Sequence, residues 1–328
     1  MLIYLRAETY ANETRSPLSP DDVKLLIANG FRVWIQSSVT RVFANSEFED
    51  VGATITELKW YAMGSDVLIV GLKELPNLDK LQNHTHIYFS HSYRGQINGP
   101  IILDAFSKSD SILYDLEYFL NSDGTRALAF GFYAGLVGGV LGLRQNYNRK
   151  MGLGDICDLK PWDSLEDMMD FPRDSSPPRC AIIGNGRTSQ GVQHVLRGCA
   201  ILHEVIRRGA IVNAYDYDII FNCINLEEAH EGAWVEPGHT KDLLIVDISC
   251  DYTKPNNPFP IYKEATTWSR PVFHYSDAVS IIAIDNLPSL LPRDSSAHFS
   301  KLLTGLLLQF GNASWIRNLA AFHRACVR

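Results

Sequence analysis

The sequence lacks the paired cysteines of a metal site. Its six cysteines stand singly at positions 157, 180, 199, 223, 250 and 326, and none falls in a CxxC or CxH pattern. Structural zinc sites are built from such closely spaced ligands, so we expect no metal ion. Several of the cysteines lie inside apolar runs, which is typical of buried, reduced thiols.

Basic charge is also in short supply. The chain has 30 basic against 37 acidic residues and a net charge of −7. A domain that coats nucleic acid usually has a pI above about 9, so we expect no nucleic-acid partner. A local basic pocket for a small anion remains compatible with this balance.

No apolar run is long enough to make a convincing membrane span. Residues 127–143 are uncharged, but they include five glycines and end at Arg144. A span needs roughly 20 predominantly apolar residues, so this stretch predicts a helix packed closely inside the protein. The N-terminal MLIYLRAET carries a charge at Arg6 and does not read as a signal peptide. We therefore expect a soluble, cytoplasmic protein without membrane contact.

What is present indicates an α/β protein. The 328 residues exceed the length of a usual single domain, which predicts two domains. Apolar strands alternate with helical stretches, a pattern that favours parallel sheets. We predict strands at 2–5, 31–35, 67–70, 87–89 and 111–113 and, after a polar stretch at 147–179, at 180–183, 219–224, 243–249 and 281–284. We predict helices at 20–29, with Ser19 and Gly30 as its caps, at 165–169 and from Ser295 onward.

A glycine-rich turn follows the strand at 180–183. The segment AIIGNGRTSQG places Gly184, Gly186 and Gly191 between an apolar strand and a helix-compatible stretch. This context predicts a dinucleotide site, because the turn and the helix N-terminus can hold a pyrophosphate. The usual third glycine would stand at Ser189, and the other interpretation is a plain tight turn. Arg187 lies where it could reach a phosphate.

The carboxylate that should bind the adenosine ribose is harder to assign. It is expected at the end of the next strand, roughly 20 residues on. In one reading 199–202 is that strand and Glu204 the acid. In the other, 192–208 is one helix, 210–215 the strand and Asp216 the acid. The second leaves too short a crossover before the strand at 219, so we favour the first, and a third reading has no carboxylate here.

Polar residues follow four of the predicted strands of the first sheet. They are Arg6, Glu8, Arg15, Lys73, Glu74, His91, Arg94 and Glu117. Ligands of open α/β sheets bind outside the carboxyl ends of the strands, so these charges are site candidates. A lysine and a histidine can move protons, arginines can clamp carboxylates, and carboxylates balance the charge. Beside a nicotinamide, this set suits the oxidation of an amine carbon followed by imine hydrolysis.

These motifs resemble one enzyme family. GLKELP, FSHSYRGQ, AFGFYAG, IIGNGR, VDISCDYTKPNNPFPIY and IDNLPSLLPR occur in the order found in NAD-dependent, lysine-forming saccharopine dehydrogenases, relatives of alanine dehydrogenase and transhydrogenase domains. The resemblance implies two Rossmann-like, doubly wound domains with a cleft between them. Residues 1–129 and 294–328 would form the substrate domain and 130–293 the dinucleotide domain. It also implies NAD as cofactor and saccharopine, or lysine plus 2-oxoglutarate, as substrate.

The resemblance also implies roles for individual residues. Lys73 and His91 would be the acid–base pair, tuned by Glu74 and Glu117. Saccharopine would contact Arg15, Arg126, Phe130, Ser249, Cys250 and Asp251. NAD would contact Gln96, Gly184, Gly186, Arg187, Ile248, Ile284, Asp285, Asn286 and Leu287.

The sequence departs from the family in the nucleotide domain. The strand that ends in Trp-Asp is not evident, and the segment between Gly191 and Asp218 looks shortened. Thr188 replaces the cysteine of the glycine turn, so its pairing with Cys223 is absent. Two alternative functions therefore stand beside the first. One is another opine- or amino-acid-type dehydrogenase, and the other is a ligand-binding homologue without turnover.

Overall fold

The computed structural model describes residues 1–10, 12–93, 98–121, 123–173, 175–207, 213–224, 235, 239–253 and 257–327. The strands are β1 (Leu2–Leu5), β2 (Arg32–Gln36), β3 (Thr54–Thr56), β4 (Val67–Val70), β5 (Thr85–Tyr88), β6 (Ile112–Asp115), β7 (Cys180–Ile183), β8 (His203–Ile206), β9 (Ile219–Asn222), β10 (Leu243–Asp247), β11 (Phe273–His274) and β12 (Val279–Ile282). The helices are α1 (Pro20–Ala28), α2 (Asn45–Glu49), α3 (Gly99–Lys108), α4 (Gly131–Met151), α5 (Leu165–Met169), α6 (Arg187–Gly198), α7 (Pro292–Leu307) and α8 (Ala313–Cys326).

The chain divides into two compact units. Unit 1 comprises 1–129 and 292–328, and unit 2 comprises 130–291. The sheet of unit 1 has the order β3-β2-β1-β4-β5-β6, and every pair in it is parallel. That of unit 2 has the order β11-β12-β10-β9-β7-β8, with only β11 antiparallel. The predicted α/β class with two doubly wound domains is thereby confirmed.

Both sheets are built around strands whose residues are mostly apolar and buried. β4, β7, β9 and β12 are buried along their whole length, as expected for parallel sheets covered on both faces. The predicted strands at 2–5, 67–70 and 180–183 match in full, and the boundaries of the others differ by one or two residues at an end. The helix predicted from Ser295 begins at Pro292 and is followed by a second helix, α8.

The predicted helix 20–29 agrees closely with α1. Ser19 is its N-cap, and its hydroxyl accepts a hydrogen bond from the Asp22 amide. Asn29 is the C-cap, and Gly30 follows it with a φ of +84°. A glycine at this place adopts the left-handed conformation without steric cost, which explains why the helix ends there.

Both sequence readings of residues 192–215 are wrong. Helix α6 ends at Gly198, and Ala200 has a φ of +55°, so residues 199–202 form a turn rather than a strand. The strand of this region is β8, which pairs with β7 as Cys180↔His203 and Ile183↔Ile206. Because β8 is a half-exposed edge strand, it lacks the continuous apolar run that identifies the central strands.

The glycines of α4 permit close packing on two sides. A Cβ on Gly135 would overlap the backbone of α6 at Thr188, and one on Gly142 would lie 2.7 Å from Phe221 Cε1 of the sheet. In turn, a Cβ on Gly191 of α6 would overlap the Phe132 carbonyl of α4. This confirms the predicted packed, glycine-rich helix. Among the helices of the described residues, none has the length and apolarity that crossing a bilayer would require.

The C-terminal helices hold the loops of unit 1 in place. Buried serines of α7 accept hydrogen bonds from the chain that precedes α1, with Ser16 N–Ser296 Oγ at 2.9 Å and Ser19 N–Ser300 Oγ at 2.7 Å. On α8, Asn318 Nδ2 donates to the Asp115 carbonyl at the end of β6 over 2.8 Å. These contacts fix segments that lead into the carboxyl edge of the sheet.

We expect Gly191→Ala to destabilise unit 2. The new methyl group would lie 2.8 Å from the Leu136 amide nitrogen and closer still to the Phe132 carbonyl, and overpacking of this kind typically costs about 1–3 kcal/mol. Gly305→Ala on α7 is the matched control, since a Cβ there meets nothing within 4 Å. Ala should stabilise that helix by up to about 1 kcal/mol. Urea denaturation followed by circular dichroism measures both, and equal midpoints would contradict the close contact.

Candidate active site

The carboxyl ends of four neighbouring strands of unit 1 carry most of the predicted polar residues. β1, β4, β5 and β6 lie side by side and run parallel. Their ends lead into Arg6 and Glu8, Lys73 and Glu74, His91, and Glu117. Arg94 and Gln96 fall outside the described residues.

A buried ion pair clamps the backbone at Lys73. The Glu8 carboxylate accepts hydrogen bonds from the amides of Leu72 at 2.8 Å and Lys73 at 3.0 Å, and it pairs with Arg6 Nη1 at 3.3 Å. Arg6 Nη2 in turn donates to the Lys73 carbonyl. A Cβ on Gly71 would overlap the Arg6 guanidinium, so the glycine makes room for it. The sequence marked Arg6 and Glu8 as site candidates, whereas here they hold the lysine segment.

A second carboxylate–arginine pair lies near the lysine. Arg15 donates to both oxygens of Glu13, with Nε–Oε1 at 2.8 Å and Nη2–Oε2 at 2.6 Å, and both side chains are buried. Burial raises the pKa of Glu13, but the Arg15 charge and its hydrogen bonds, together with the Lys73 charge, hold that pKa below its usual range. Sequence reasoning missed Glu13, although it stands two residues before the predicted Arg15.

Glu74 and Tyr10 lie beside the lysine. A hydrogen bond to Glu74 raises the pKa of the Tyr10 hydroxyl. Lys73 Nζ lies 6.0 Å from the centre of the Tyr10 ring. Tyr10 was not among the sequence candidates, because an aromatic residue in an irregular segment gives no signal of its own.

His91 and Arg126 share one carboxylate. His91 Nδ1 lies 3.5 Å from Glu117 Oε2, and Arg126 Nη1 lies 3.1 Å from Glu117 Oε1. The hydrogen bond and charge of Glu117 raise the pKa of His91 and outweigh the opposing effect of burial. His91 has a φ of +50°, a strained conformation for a residue with a Cβ. Strain of this kind concentrates at functional sites.

A buried aspartate, missed from the sequence, lies behind the histidine. Asp115 is fully buried at the end of β6, where it accepts hydrogen bonds from Ser90 Oγ at 2.6 Å and from the Glu117 amide at 2.9 Å. Burial raises its pKa to about 6. Asp115 therefore joins the loop that carries His91 to the turn that carries Glu117.

Unit 2 has a comparable edge. Gly184 ends β7 with a φ of +104°, and a Cβ there would lie 2.8 Å from Ile224 Cγ2. Gly186 is the N-cap of α6, and a Cβ on it would meet nothing within 4 Å. Arg187 is the first residue of α6. No side chain caps the start of this helix among the described residues, and the space beside Gly186 is open, so the turn fits a pyrophosphate.

The loop after β10 is tied to its neighbours on both sides. Ser249 Oγ donates to the Ile224 carbonyl, and Cys250 Sγ donates to the Ala283 carbonyl over 3.3 Å. Buried Asp247 accepts from Asn222 Nδ2 at 2.9 Å and from the Tyr262 hydroxyl at 2.6 Å. Ser249, Cys250 and Asp251 thus lie at the same edge as the glycine turn, and the first two use their side chains within the protein.

The predicted cofactor residues after β10 and β12 fall into two groups. Ile248, Ile284 and Leu287 point into the core against α4, so only their backbone is available to a ligand. Asp285 is exposed and Asn286 half-exposed at the edge. Phe130 is the N-cap of α4.

Neither predicted ribose carboxylate lies where it is needed. Glu204 is within β8, opposite Ala181, and its carboxylate accepts a hydrogen bond from the Tyr217 hydroxyl at 2.6 Å. Asp216 lies in a 3-10 turn, Ala214–Asp216, that precedes β9. Because β9 and β7 are parallel, Asp216 is at the amino edge of the sheet, opposite the glycine turn.

We expect Glu117→Gln to lower the pKa of His91. The folded pKa of His91 is raised, so the contribution of its protonated ring to stability is present below about pH 6.5 and is lost as the pH rises through the folded value. The stability difference between wild type and variant should therefore be larger near pH 6 than near pH 9. NMR titration of the His91 ring and urea denaturation test this, with exposed Glu57→Gln as control. An unchanged His91 pKa would contradict it.

We also expect Glu8→Gln to destabilise unit 1. The NH₂ group of the new side chain would face either the Arg6 guanidinium or a backbone N–H that the Glu8 carboxylate accepts from in the wild type. Because one buried donor would then lack an acceptor, we expect a loss of about 1–3 kcal/mol of stability. Glu49→Gln removes the same charge from an exposed position at the end of α2 and should change stability by less than about 0.5 kcal/mol. Denaturation midpoints that shift equally in the two variants would contradict the clamp.

Comparison with known proteins agrees with this architecture. The family model described as alanine dehydrogenase/PNT, N-terminal domain, matches residues 4–137. L-alanine dehydrogenase superposes with a TM-score of 0.73 at 13% identity, covering 99% of this chain and 94% of that chain. The transhydrogenase from Sinorhizobium meliloti superposes with a TM-score of 0.68 at 14% identity, covering 94% of each chain. At such identities the likeness concerns the fold alone.

Sequence relatives go further. The saccharopine dehydrogenase (NAD(+), L-lysine-forming) of Yarrowia lipolytica is 34% identical over 365 residues, covering 99% of this chain and 98% of the relative. That of Candida albicans is 31% identical, covering 100% and 98%. That of Schizosaccharomyces pombe is 32% identical, covering 96% and 95%. With relatives above 30% identity along its whole length, the chain belongs to the saccharopine dehydrogenase family, NAD(+)-dependent and L-lysine-forming.

Proposed function

We propose that this chain is an NAD-dependent saccharopine dehydrogenase. It oxidises saccharopine with NAD⁺ and water to L-lysine, 2-oxoglutarate and NADH, and it also catalyses the reverse condensation. The observation that carries the proposal is the set of Lys73, His91 and Glu117 at one edge of the sheet of unit 1, within motifs of the family. Relatives that carry this activity in their names and match the whole chain support it.

The substrate chemistry defines what the residues must do. Saccharopine joins the ε-nitrogen of lysine to the α-carbon of a glutarate. Bound NAD⁺ would supply the acceptor for the hydride of that carbon, and with loss of the N–H proton the C–N bond would become a C=N bond. Water then adds to the carbon, and the C–N bond breaks to leave the ketone of 2-oxoglutarate and the amine of lysine. These steps need a base that takes the proton of the amine, a base that takes a proton from the water and an acid that protonates the departing nitrogen.

Lys73 and His91 are the groups we assign to these proton transfers. The hydrogen bond and charge of Glu117 raise the pKa of His91, which favours the protonated ring as a proton donor. The Arg6–Glu8 pair fixes the backbone of Lys73, and fixed geometry is what proton transfer to a bound substrate requires. Glu74 and Glu117 balance the positive charge of the pair.

The two arginines have unequal access to a substrate carboxylate. Arg15 is 6% exposed and is already bidentate with Glu13, whereas Arg126 is 43% exposed and gives one nitrogen to Glu117. We therefore assign direct carboxylate binding to Arg126. Arg15 and Glu13 form part of the wall of the site, and their opposite charges neutralise each other.

Unit 2 would hold the dinucleotide. Gly184 and Gly186 leave space for the pyrophosphate at the start of α6, and Arg187 would neutralise it. The exposed Asp285 and half-exposed Asn286 are the side chains after β12 that a nicotinamide ribose could contact. We assign unit 1 to the substrate and unit 2 to NAD on this basis.

We expect Lys73→Met to lower kcat by about 10²–10⁴-fold, because a positioned acid–base group contributes that much. NADH binding should change little, since the lysine belongs to the sheet of unit 1. Steady-state kinetics and calorimetric titration with NADH measure the two effects. The exposed Lys80→Met is the control. A loss of NADH affinity as large as the loss of kcat would argue against the acid–base role.

The amine specificity needs a separate measurement. NADH-dependent condensation of 2-oxoglutarate should be fastest with lysine across a panel that includes ornithine, alanine and arginine. A much faster reaction with another amine would assign the chain to a different opine-type dehydrogenase. Absence of turnover with every amine, with NADH still bound, would favour a ligand-binding role.

A further inference from the structure

The carboxyl end of β8 lies beside the glycine turn. β8 and β7 are parallel, with Ile183 opposite Ile206, and the Gly184 amide donates to the Ile206 carbonyl over 2.9 Å. The residue that follows Ile206 therefore comes alongside the first glycine of the turn. That residue is Arg207, and its side chain is exposed.

This position decides which dinucleotide such a site accepts. In dinucleotide-binding folds of this kind, the end of the strand after the glycine turn faces the adenosine ribose. A carboxylate there accepts hydrogen bonds from the ribose hydroxyls and repels a 2′-phosphate, whereas an arginine nearby accommodates that phosphate. The sign of the charge at this point is therefore a specificity determinant.

No acid of this segment takes the carboxylate's place. Residues 207–213 read RRGAIVN and contain no aspartate or glutamate. Glu204 comes three residues too early in β8 and is hydrogen-bonded to Tyr217, and Asp216 is at the opposite edge of the sheet. Among the residues that the structure describes, Arg207 has no ion-pair partner that would neutralise it.

We propose that Arg207 is a specificity-determining residue that allows this chain to accept the 2′-phosphorylated dinucleotide, NADP(H), in addition to the NAD(H) of the proposed function. The guanidinium would pair with the 2′-phosphate, while the glycine turn and the start of α6 hold the pyrophosphate of either dinucleotide. The inference rests on the proposed dinucleotide site of unit 2. It separates this chain from the relatives, whose names specify NAD(+).

Binding measurements without turnover test the proposal. Calorimetric titration of the full chain with NADPH and with NADH should show that NADPH binds at least as tightly as NADH. The fragments 2′,5′-ADP and 5′-ADP isolate the adenosine half, and the first should bind at least as tightly as the second. Loss of one charge-assisted contact weakens binding by roughly 10- to 100-fold. We expect that loss for NADPH and 2′,5′-ADP in Arg207→Gln, with NADH and 5′-ADP little affected.

Two further variants sharpen the test. Arg207→Asp should exclude NADPH and retain NADH, because its carboxylate repels the 2′-phosphate and accepts hydrogen bonds from the ribose. Arg197→Gln removes an arginine from the far end of α6 and should leave both affinities unchanged. Circular dichroism of each variant shows whether it retains the fold.

The outcomes separate this inference from the proposed function. Tight binding of NADH with weak NADPH binding, unaltered in Arg207→Gln, would overturn the inference and leave the proposed function standing. An equal loss for NADH and NADPH in Arg207→Gln would also overturn it, because the arginine would then act on the pyrophosphate. Failure of the chain to bind either dinucleotide would overturn both.

Discussion

Parallel pairing of the strands is the constraint on which both candidate sites depend. Because β1, β4, β5 and β6 all run in one direction, the segments that follow them meet at a single edge. The loops that carry Lys73, His91 and Glu117 lie at one edge of the sheet for this reason, and His91 and Glu117 are in contact there. The same constraint in unit 2 brings the glycine turn to the loops after β9, β10 and β12.

Gathering charges at a sheet edge removes them from water, and the structure compensates with partners of opposite sign. Burying a charge is costly unless it is paired and hydrogen-bonded. Arg6 meets Glu8, Arg15 meets Glu13, and Glu117 holds both His91 and Arg126. The pairs also restrict motion, since Glu8 binds the backbone of the lysine segment as well as the arginine. Charge balance and positioning are thus achieved by the same contacts.

The sequence was informative where burial or charge follows a simple pattern. Continuous apolar runs located the central strands, and charged residues after them located the edge of the sheet that bears the candidate site. β8 escaped detection because an edge strand is half-exposed and polar, so it lacks that signal. Asp115 and Glu13 escaped because their importance comes from burial and from partners that only the fold supplies. The serines of α7 that anchor the chain near Arg15 were missed for the same reason.

The two ends of the proposed dinucleotide site belong to different parts of unit 2, which explains how one end can change while the other stays the same. The start of α6 is fixed by its close contact with α4, where Gly135 and Gly191 let the two backbones approach. The ribose end depends instead on the residue after an edge strand that contacts one neighbour only. A central contact tolerates few substitutions, whereas the end of an edge strand can exchange a carboxylate for a guanidinium without repacking the core. The chemistry proposed for unit 1 is independent of that exchange, because a 2′-phosphate lies on the adenosine and not on the nicotinamide.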